Sequence, residues 1–367
     1  MVDINRVKGI RQEMDSVWRI IDVPVFPTDT NRKSYMFSEL NSLISILSLV
    51  DNRGYKECMI LLRSILEKFL YFWLMFEGRK YRWTHHYFIE PRTSKTRKEA
   101  RDKTLELWNN LKRSGDPKYL NWQIQAGRKD NVIIVTSEED GMFIEENGKR
   151  TGEIMPIYNV MLEEYQPNIK HLSDIENMVN SIENRSDFDK IVLKQDLLYN
   201  RYFYINNIYR NLKLNNLVDN FQLNIIRVHY NFLSQYVHPS KYSIEIWDDI
   251  HEQTRYSSNI DKEQILYELI LLYTTKLIEL YFSTFIKGYK NTKNQLEYNN
   301  FKELIKELHN ISNDLWFYDN EPTAFDLEYS NQRKEFRSRA GKKVPEALIY
   351  NENPFERLLM MRSRNMK

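Results

Sequence analysis

The stretch Cys58-Met-Ile-Leu-Leu-Arg63-Ser-Ile-Leu-Glu67-Lys-Phe-Leu-Tyr-Phe-Trp-Leu-Met-Phe76 decides the fold class. Its second half is apolar nearly all round, and one narrow polar stripe runs along it through Lys56, Arg63, Ser64, Glu67 and Lys68. A helix with that pattern belongs inside a helical body. The run is about as long as a membrane span, but Arg63, Glu67 and Lys68 sit within it, and charges at that depth are costly in lipid. A buried bundle helix is expected, with no membrane partner. Arg63 and Glu67 are four residues apart and so share one face.

A second stretch carries a matching stripe: Arg227-Val-His-Tyr-Asn231-Phe-Leu-Ser234-Gln-Tyr-Val-His238-Pro-Ser240. Arg227, Asn231, Ser234 and His238 fall at intervals of four, three and four residues, again on one helix face. If the two stripes meet, an arginine, a glutamate, a serine and a histidine converge between helices. Arg63 would then clamp an anion, Glu67 and Ser234 would orient, and His238 would act as acid or base. The structural alternative is open at each position. Arg63 and Glu67 also suit an intrahelical salt bridge worth roughly 0.3–0.5 kcal/mol. His238 precedes Pro239, which ends the helix, and a histidine in a last turn is favoured by the helix dipole without any catalysis. A Ser–His contact along one helix, with no oxyanion hole beside it, is a poor geometry for a nucleophile, so Ser234 reads as an orienting group.

Outward from these helices, the 367-residue chain is long enough for one large or two to three small domains. Hydrophobic residues make up 42% and aromatics 13%, with only 10 Gly and 10 Pro, a composition for a mainly α protein with a real core. The spacing predicts helices over about 1–22, 36–50, 55–77, 95–113, 157–166, 172–184, 189–213, 217–238, 261–288 and 298–317. Residues 79–96 read as irregular. Val132–Val135 and Met142–Ile144 are short β-type runs around the turn-like Ser137-Glu-Glu-Asp-Gly141, and Asn147-Gly148 is a second turn signal, so a small β-hairpin insertion is expected at about 131–155. The expected organisation is an N-terminal helix and linker at 1–35, a helical body at 36–318 and a basic tail at 319–367.

The net charge of +2 gives no global bias toward nucleic acid. From Arg333 to Lys367, however, ten Lys/Arg face four Glu. Arg337, Arg339, Lys342 and Lys343, with Arg227, are the candidate nucleic-acid contacts; a solvated tail is the alternative. Phe355 and Leu358-Leu-Met-Met361 are anchors for the body or for a partner. The single cysteine, Cys58, excludes an internal disulfide, fits a reducing cytoplasm and reads as a buried thiol. His85 and His86 lack the Cys or carboxylates of a metal site. No phosphate-cradling Gly loop, Gly-x-Ser-x-Gly or His-Glu-x-x-His is present. No cofactor and no metal are expected.

Together, Arg63-Ser-Ile-Leu-Glu67 and Leu233-Ser-Gln-Tyr-Val-His238-Pro-Ser240 resemble the signature positions of an all-helical bacterial family, DUF5677, itself similar to the HEPN superfamily. The resemblance covers about 40–240. It implies a HEPN-like bundle in a defence or toxin-type protein, with metal-independent ribonuclease activity in its active members and binding roles in others. In such a site the His assists proton transfer from the 2′-hydroxyl and the Arg stabilises the phosphate, commonly at a dimer interface. Arg79 and His85 have the superfamily's usual separation. Arg227 and His238 do not, so Arg63 would supply the motif arginine from another helix. The expected partner is RNA, or alternatively a protein bound by a non-catalytic scaffold, with a homodimer in either case.

Overall fold

The computed structural model describes residues 29–77, 80–89, 123–126, 133–142, 145–146, 149–150, 204–237, 262–287 and 295–364, with single helical positions at Asp102, Glu106, Asn109 and Arg113. These residues are mainly helical. The helices expected at 1–22, 157–166 and 172–184, together with Arg79 and His238, lie outside the described residues. The chain divides into two compact units, Met1–Phe76 with Val218–Lys367, and Glu77–Leu217.

In the first unit, α1 (Asp29–Asp51) and α2 (Tyr55–Glu77) are joined by a three-residue turn. Met36, Leu40, Leu43, Leu47 and Val50 recur at three- and four-residue intervals and are at most 2% exposed, so α1 buries one continuous stripe. The chain reverses because Arg53 takes a left-handed φ of 59° and the Gly54 N–H donates to Leu49 O at 2.9 Å. A Cβ on Gly54 would lie 3.2 Å from that same carbonyl, which favours glycine there. Cys58 is fully buried, its Sγ 3.7 Å from Ile46 O, and burial pushes its thiol up to about 12. It is a packing residue.

After the second unit the chain returns as α4 (Asn220–Val237), α5 (Lys262–Ile286) and α6 (Gln295–Ser312). A capping box opens α4: Gln222 N–H donates to Asp219 Oδ1 at 2.8 Å and Asp219 N–H to Gln222 Oε1 at 3.0 Å. Every residue of α5 from Glu268 to Phe282 is buried. By length and composition α5 could cross a membrane, but 94% of its apolar window is buried inside the protein. The aromatic rings of α2 pack on it: Phe69 and Phe72 lie 5.3 and 5.0 Å from Tyr281, and Phe282 lies 4.7 Å from Phe301 of α6.

Residues 319–364, read from sequence as a tail, are folded. The helix expected over 298–317 stops at Ser312, and Leu315-Trp-Phe-Tyr318 is a buried non-helical run. Asn320 closes it, accepting from Phe317 N at 2.8 Å and donating to Leu315 O at 3.0 Å. Two helices follow, α7 (Ala324–Arg339) and α8 (Pro354–Arg364). Thr323 and Asp326 form a capping box on α7; Asn353 caps Phe355 and Glu356 on α8, with Pro354 at the first position. Phe355 and Leu358 are buried anchors. Arg357, 2% exposed, donates to both oxygens of Asp326 at 2.6 and 2.7 Å and to Asp314 O at 2.5 Å. Burial opposes its charge, but the Asp326 hydrogen bonds outweigh it and raise its pKa. Arg362 reaches Glu268 of α5 and Asp314, 2.6 Å away. Two of the expected basic-tail cations are thus internal staples.

His229 of α4 is wholly buried. Tyr273 O–H donates to its Nδ1 at 2.6 Å, while Nε2 lies 3.0 Å from Trp316 O and 2.6 Å from Tyr350 Oη. Tyr350 also donates to Trp316 O at 2.8 Å. This arrangement fits the tautomer with its proton on Nε2, and four parts of the chain meet there.

In the second unit, β1 (Lys80–Ile89), β2 (Gln123–Ala126) and β3 (Ile133–Met142) form an antiparallel sheet in the order β1-β3-β2. The expected irregular stretch at 79–96 therefore contains a strand. Residues 137–141 are not a turn: they pair with 81–85 as part of β3, because β1 offers an unbroken partner along ten residues. Strands β4 (Glu145–Glu146) and β5 (Lys149–Arg150) pair on either side of 147–148. Helix α3 (Ile205–Leu214) packs against β1. It starts after an extended Tyr204, which interrupts the helix expected over 189–213 at that position; residues 189–203 lie outside the described residues.

The buried ion pair and the buried histidine each set an expectation. Asp326→Ala should cost about 3–5 kcal/mol in urea unfolding, because it strands a buried guanidinium. Asp326→Ala with Arg357→Met should recover much of that loss. Burial depresses the His229 pKa from 6.5 to about 3, although the Trp316 hydrogen bond opposes this. Between those values the unfolded chain binds a proton that the folded one does not. The contribution is therefore complete above pH 6.5 and is lost as pH falls toward 3, at up to about 1.4 kcal/mol per pH unit. Unfolding free energies at pH 7, 5.5 and 4.5 should fall more steeply for wild type than for His229→Gln.

Candidate functional site

Helices α2 and α4 meet through three polar side chains. The Arg63 guanidinium lies 2.9 Å from Glu67 Oε2, one turn along α2. It also donates to Tyr230 Oη of α4, and its Cζ lies 4.8 Å from the Tyr230 ring centroid. Tyr230 O–H in turn donates to Glu67 Oε2 at 3.2 Å. The three groups form a closed ring of donors and acceptors. Arg63 is 29% exposed and Glu67 10%, so the ring sits at the edge of the interface. One polar atom stays out of it: Arg63 Nε–H is buried and has no acceptor among the described residues.

Of the residues singled out from the sequence, Arg63 and Glu67 are joined, but Ser234 is not part of the ring. Its Oγ donates to Tyr230 O at 2.7 Å, within its own helix. Arg227 and Asn231 face outward. His85 and His86 stand opposite Ser137 and Thr136 in the sheet of the second unit. Tyr230 was missed because an aromatic on the buried side of a helix reads as core. The signal for it was its place beside the polar stripe, three residues after Arg227 and four before Ser234.

A second polar cluster escaped the sequence reading. On α5, Lys276 Nζ lies 2.8 Å from Glu279 Oε2 and 3.1 Å from Asp319 Oδ2 of the segment after α6. Glu279 also accepts from His309 Nδ1 at 2.8 Å and from Ser312 Oγ at 2.9 Å, both in the last turn of α6. Lys276 and Glu279 are buried, while the side chains of His309 and Asp319 are 38% and 21% exposed. Burial pushes the Asp319 carboxyl above its usual range, and Lys276 opposes that rise. Lys276 and Glu279 are visible in the sequence as an i, i+3 pair in an apolar run. Their partners lie 30 to 43 residues away.

Helix α7 supplies a third feature. Its first turn is anchored by buried Phe325, Asp326 and Ser330. From Asn331 to Lys343 all residues except half-buried Lys334 are exposed. The helix ends where Gly341 takes φ +66°, with Lys342 N–H donating to Arg337 O at 2.9 Å. Six cations and one carboxylate lie between Asn331 and Val344. Arg339 pairs with Glu335, Arg333 lies over the Tyr329 ring, and Lys334 donates to Glu346 O. Arg337, Lys342 and Lys343 form no ion pair with any described residue. Phe336 stands 64% exposed among them.

The ring between α2 and α4 predicts a graded loss. Tyr230→Phe removes one hydroxyl that bridges Arg63 and Glu67 and should cost about 1–3 kcal/mol in thermal or urea unfolding. Combining it with Arg63→Ala should cost less than the sum of the two, because the groups share one network.

In comparisons with protein-family models, curated proteins and solved structures, the chain matches none.

Proposed function

We propose that this chain is a nucleic-acid-binding helical protein of the defence or toxin type, with the projecting half of α7 as its contact to the phosphate backbone of single-stranded RNA. The observation that carries this reading is the exposed run Arg333–Lys343, where Arg337, Lys342 and Lys343 are free to meet phosphates. A largely solvated cationic helix releases counterions when it binds phosphates, which favours association without sequence readout. Exposed Phe336 adds a surface on which an unpaired base can stack. Arg227, Arg337, Arg339, Lys342 and Lys343 are the assigned contacts.

The HEPN resemblance extends this proposal to metal-independent cleavage, with His238 as acid or base and Arg63 as phosphate clamp. The ring between α2 and α4 favours binding over cleavage. Arg63 is already neutralised by Glu67 and held by Tyr230, so it would have to leave both to grip a substrate. The scaffold reading, in which a protein partner covers the exposed apolar groups of α7, draws on Leu327 at 44% and Phe336 at 64% exposure.

The test is binding of the purified full chain to fluorescent single-stranded RNA in EDTA, over a range of salt concentrations. Arg337→Ala with Lys342→Ala and Lys343→Ala should weaken binding and flatten the slope of log K against log salt by roughly 2, at about 0.7 for each phosphate no longer neutralised. Intact RNA after incubation supports the binding form; cleavage that disappears in His238→Ala supports the catalytic form. An unchanged slope removes α7 from the interface and returns the arm to the scaffold reading.

A further inference from the structure

The cluster between α5, α6 and the segment after Ser312 takes no part in the proposed nucleic-acid contact, and its chemistry points elsewhere. Glu279, His309 and Asp319 each present one ligand atom, and these atoms lie within 4.8 Å of one another. Two ligands held at about 2.1 Å from one tetrahedral ion are roughly 3.4 Å apart. The widest pair must therefore close by about 1.4 Å. The side chains of His309 and Asp319 are 38% and 21% exposed, and rotation of both toward Glu279 covers it.

The oxygens are already divided between two tasks. Lys276 and Ser312 occupy Glu279 Oε2, and Lys276 also takes Asp319 Oδ2. Glu279 Oε1 faces His309 Nδ1 instead, and Asp319 Oδ1 accepts from no other side chain among the described residues. Lys276 and Ser312 therefore stand where outer groups stand in a metal centre: they fix the carboxylates from one side, with Glu279 Oε1 turned toward the His309 ring. Two carboxylates face one ammonium, and a bound metal ion would add positive charge beside them.

We propose that Glu279, His309 and Asp319 form a binding site for a first-row divalent cation such as Zn²⁺ or Mn²⁺, which replaces the proton between His309 Nδ1 and Glu279 Oε1. One imidazole nitrogen with two carboxylate oxygens selects such ions over Mg²⁺ or Ca²⁺, which prefer all-oxygen sites. Water completes the coordination on the exposed side. Lys276 stays in place, and its charge limits the affinity. Because the ion joins α5, α6 and the following segment, it acts as a cross-link inside the unit.

The experiment is calorimetric titration of the EDTA-stripped, dialysed full chain with ZnCl₂ and separately with MnCl₂, beside His309→Ala and Asp319→Asn. The expected result is saturable uptake of a single ion, tighter for Zn²⁺ than for Mn²⁺, with proton release and a raised Tm. Each variant should weaken uptake at least about tenfold. Co²⁺ gives a readout on wild type alone: its visible bands should be those of nitrogen and oxygen ligands and should fade as Zn²⁺ is added. Absence of a saturable site in wild type overturns the proposal, as does equal binding by folded variants.

Discussion

The burial of α5 on all its faces is the constraint on which the rest of the first unit depends. A helix that meets protein on every side must have each of its polar groups answered by a neighbour, since an unanswered buried charge costs several kcal/mol or more. Glu268, Lys276 and Glu279 lie on that helix, and each sets the position of another element. Glu268 holds Arg362 of α8, Lys276 holds Asp319, and Glu279 holds His309 and Ser312 of α6. Apolar packing alone would let these elements slide or rotate. The charged contacts fix their register, at some cost in stability relative to a purely apolar core.

The segment from Leu315 to Tyr350 extends the same logic toward α4. It brings the Trp316 carbonyl to His229, and the Asp314 carbonyl just before it meets Arg357, so that backbone groups in the non-helical run after α6 are satisfied by side chains. Trp316, Tyr350, Ile225 and Val228 then pack as one apolar cluster around those bonds. The C-terminal helices therefore belong to the core on one side. On the other, the outer half of α7 is given over to solvent and charge.

Much of the helical layout was legible in the sequence because glycines and prolines punctuate it. Gly54 and Gly78 bracket α2, and the apolar period of α5 gives its ends to within two residues. The end of α6 was not legible: Leu315-Trp-Phe-Tyr318 continues a helical hydrophobic pattern, and only the tertiary partners of Asn320 and Trp316 reveal that the backbone has turned. The sheet was misread for a related reason. Ser137–Gly141 has turn composition, yet a continuous partner strand keeps it extended, and single-sequence propensity cannot see partners 52 to 60 residues earlier. The candidate sites divide along the same line. Arg63 with Glu67 is a local pair and could be read from spacing, whereas Tyr230, His309 and Asp319 join their networks only through long-range packing.

The first unit is assembled from two separated pieces of chain, and this has a consequence during synthesis. Tyr55 pairs with Glu263 and Tyr281 with Ile65, partners more than 200 residues apart. Helices α1 and α2 leave the ribosome long before α5 exists to cover them. At about 5–20 residues per second, their apolar faces wait roughly 10–40 s for that partner. During that interval the nascent chain presents an aromatic-rich surface to whatever is nearby, which makes it a natural client for a chaperone that holds exposed hydrophobic helices.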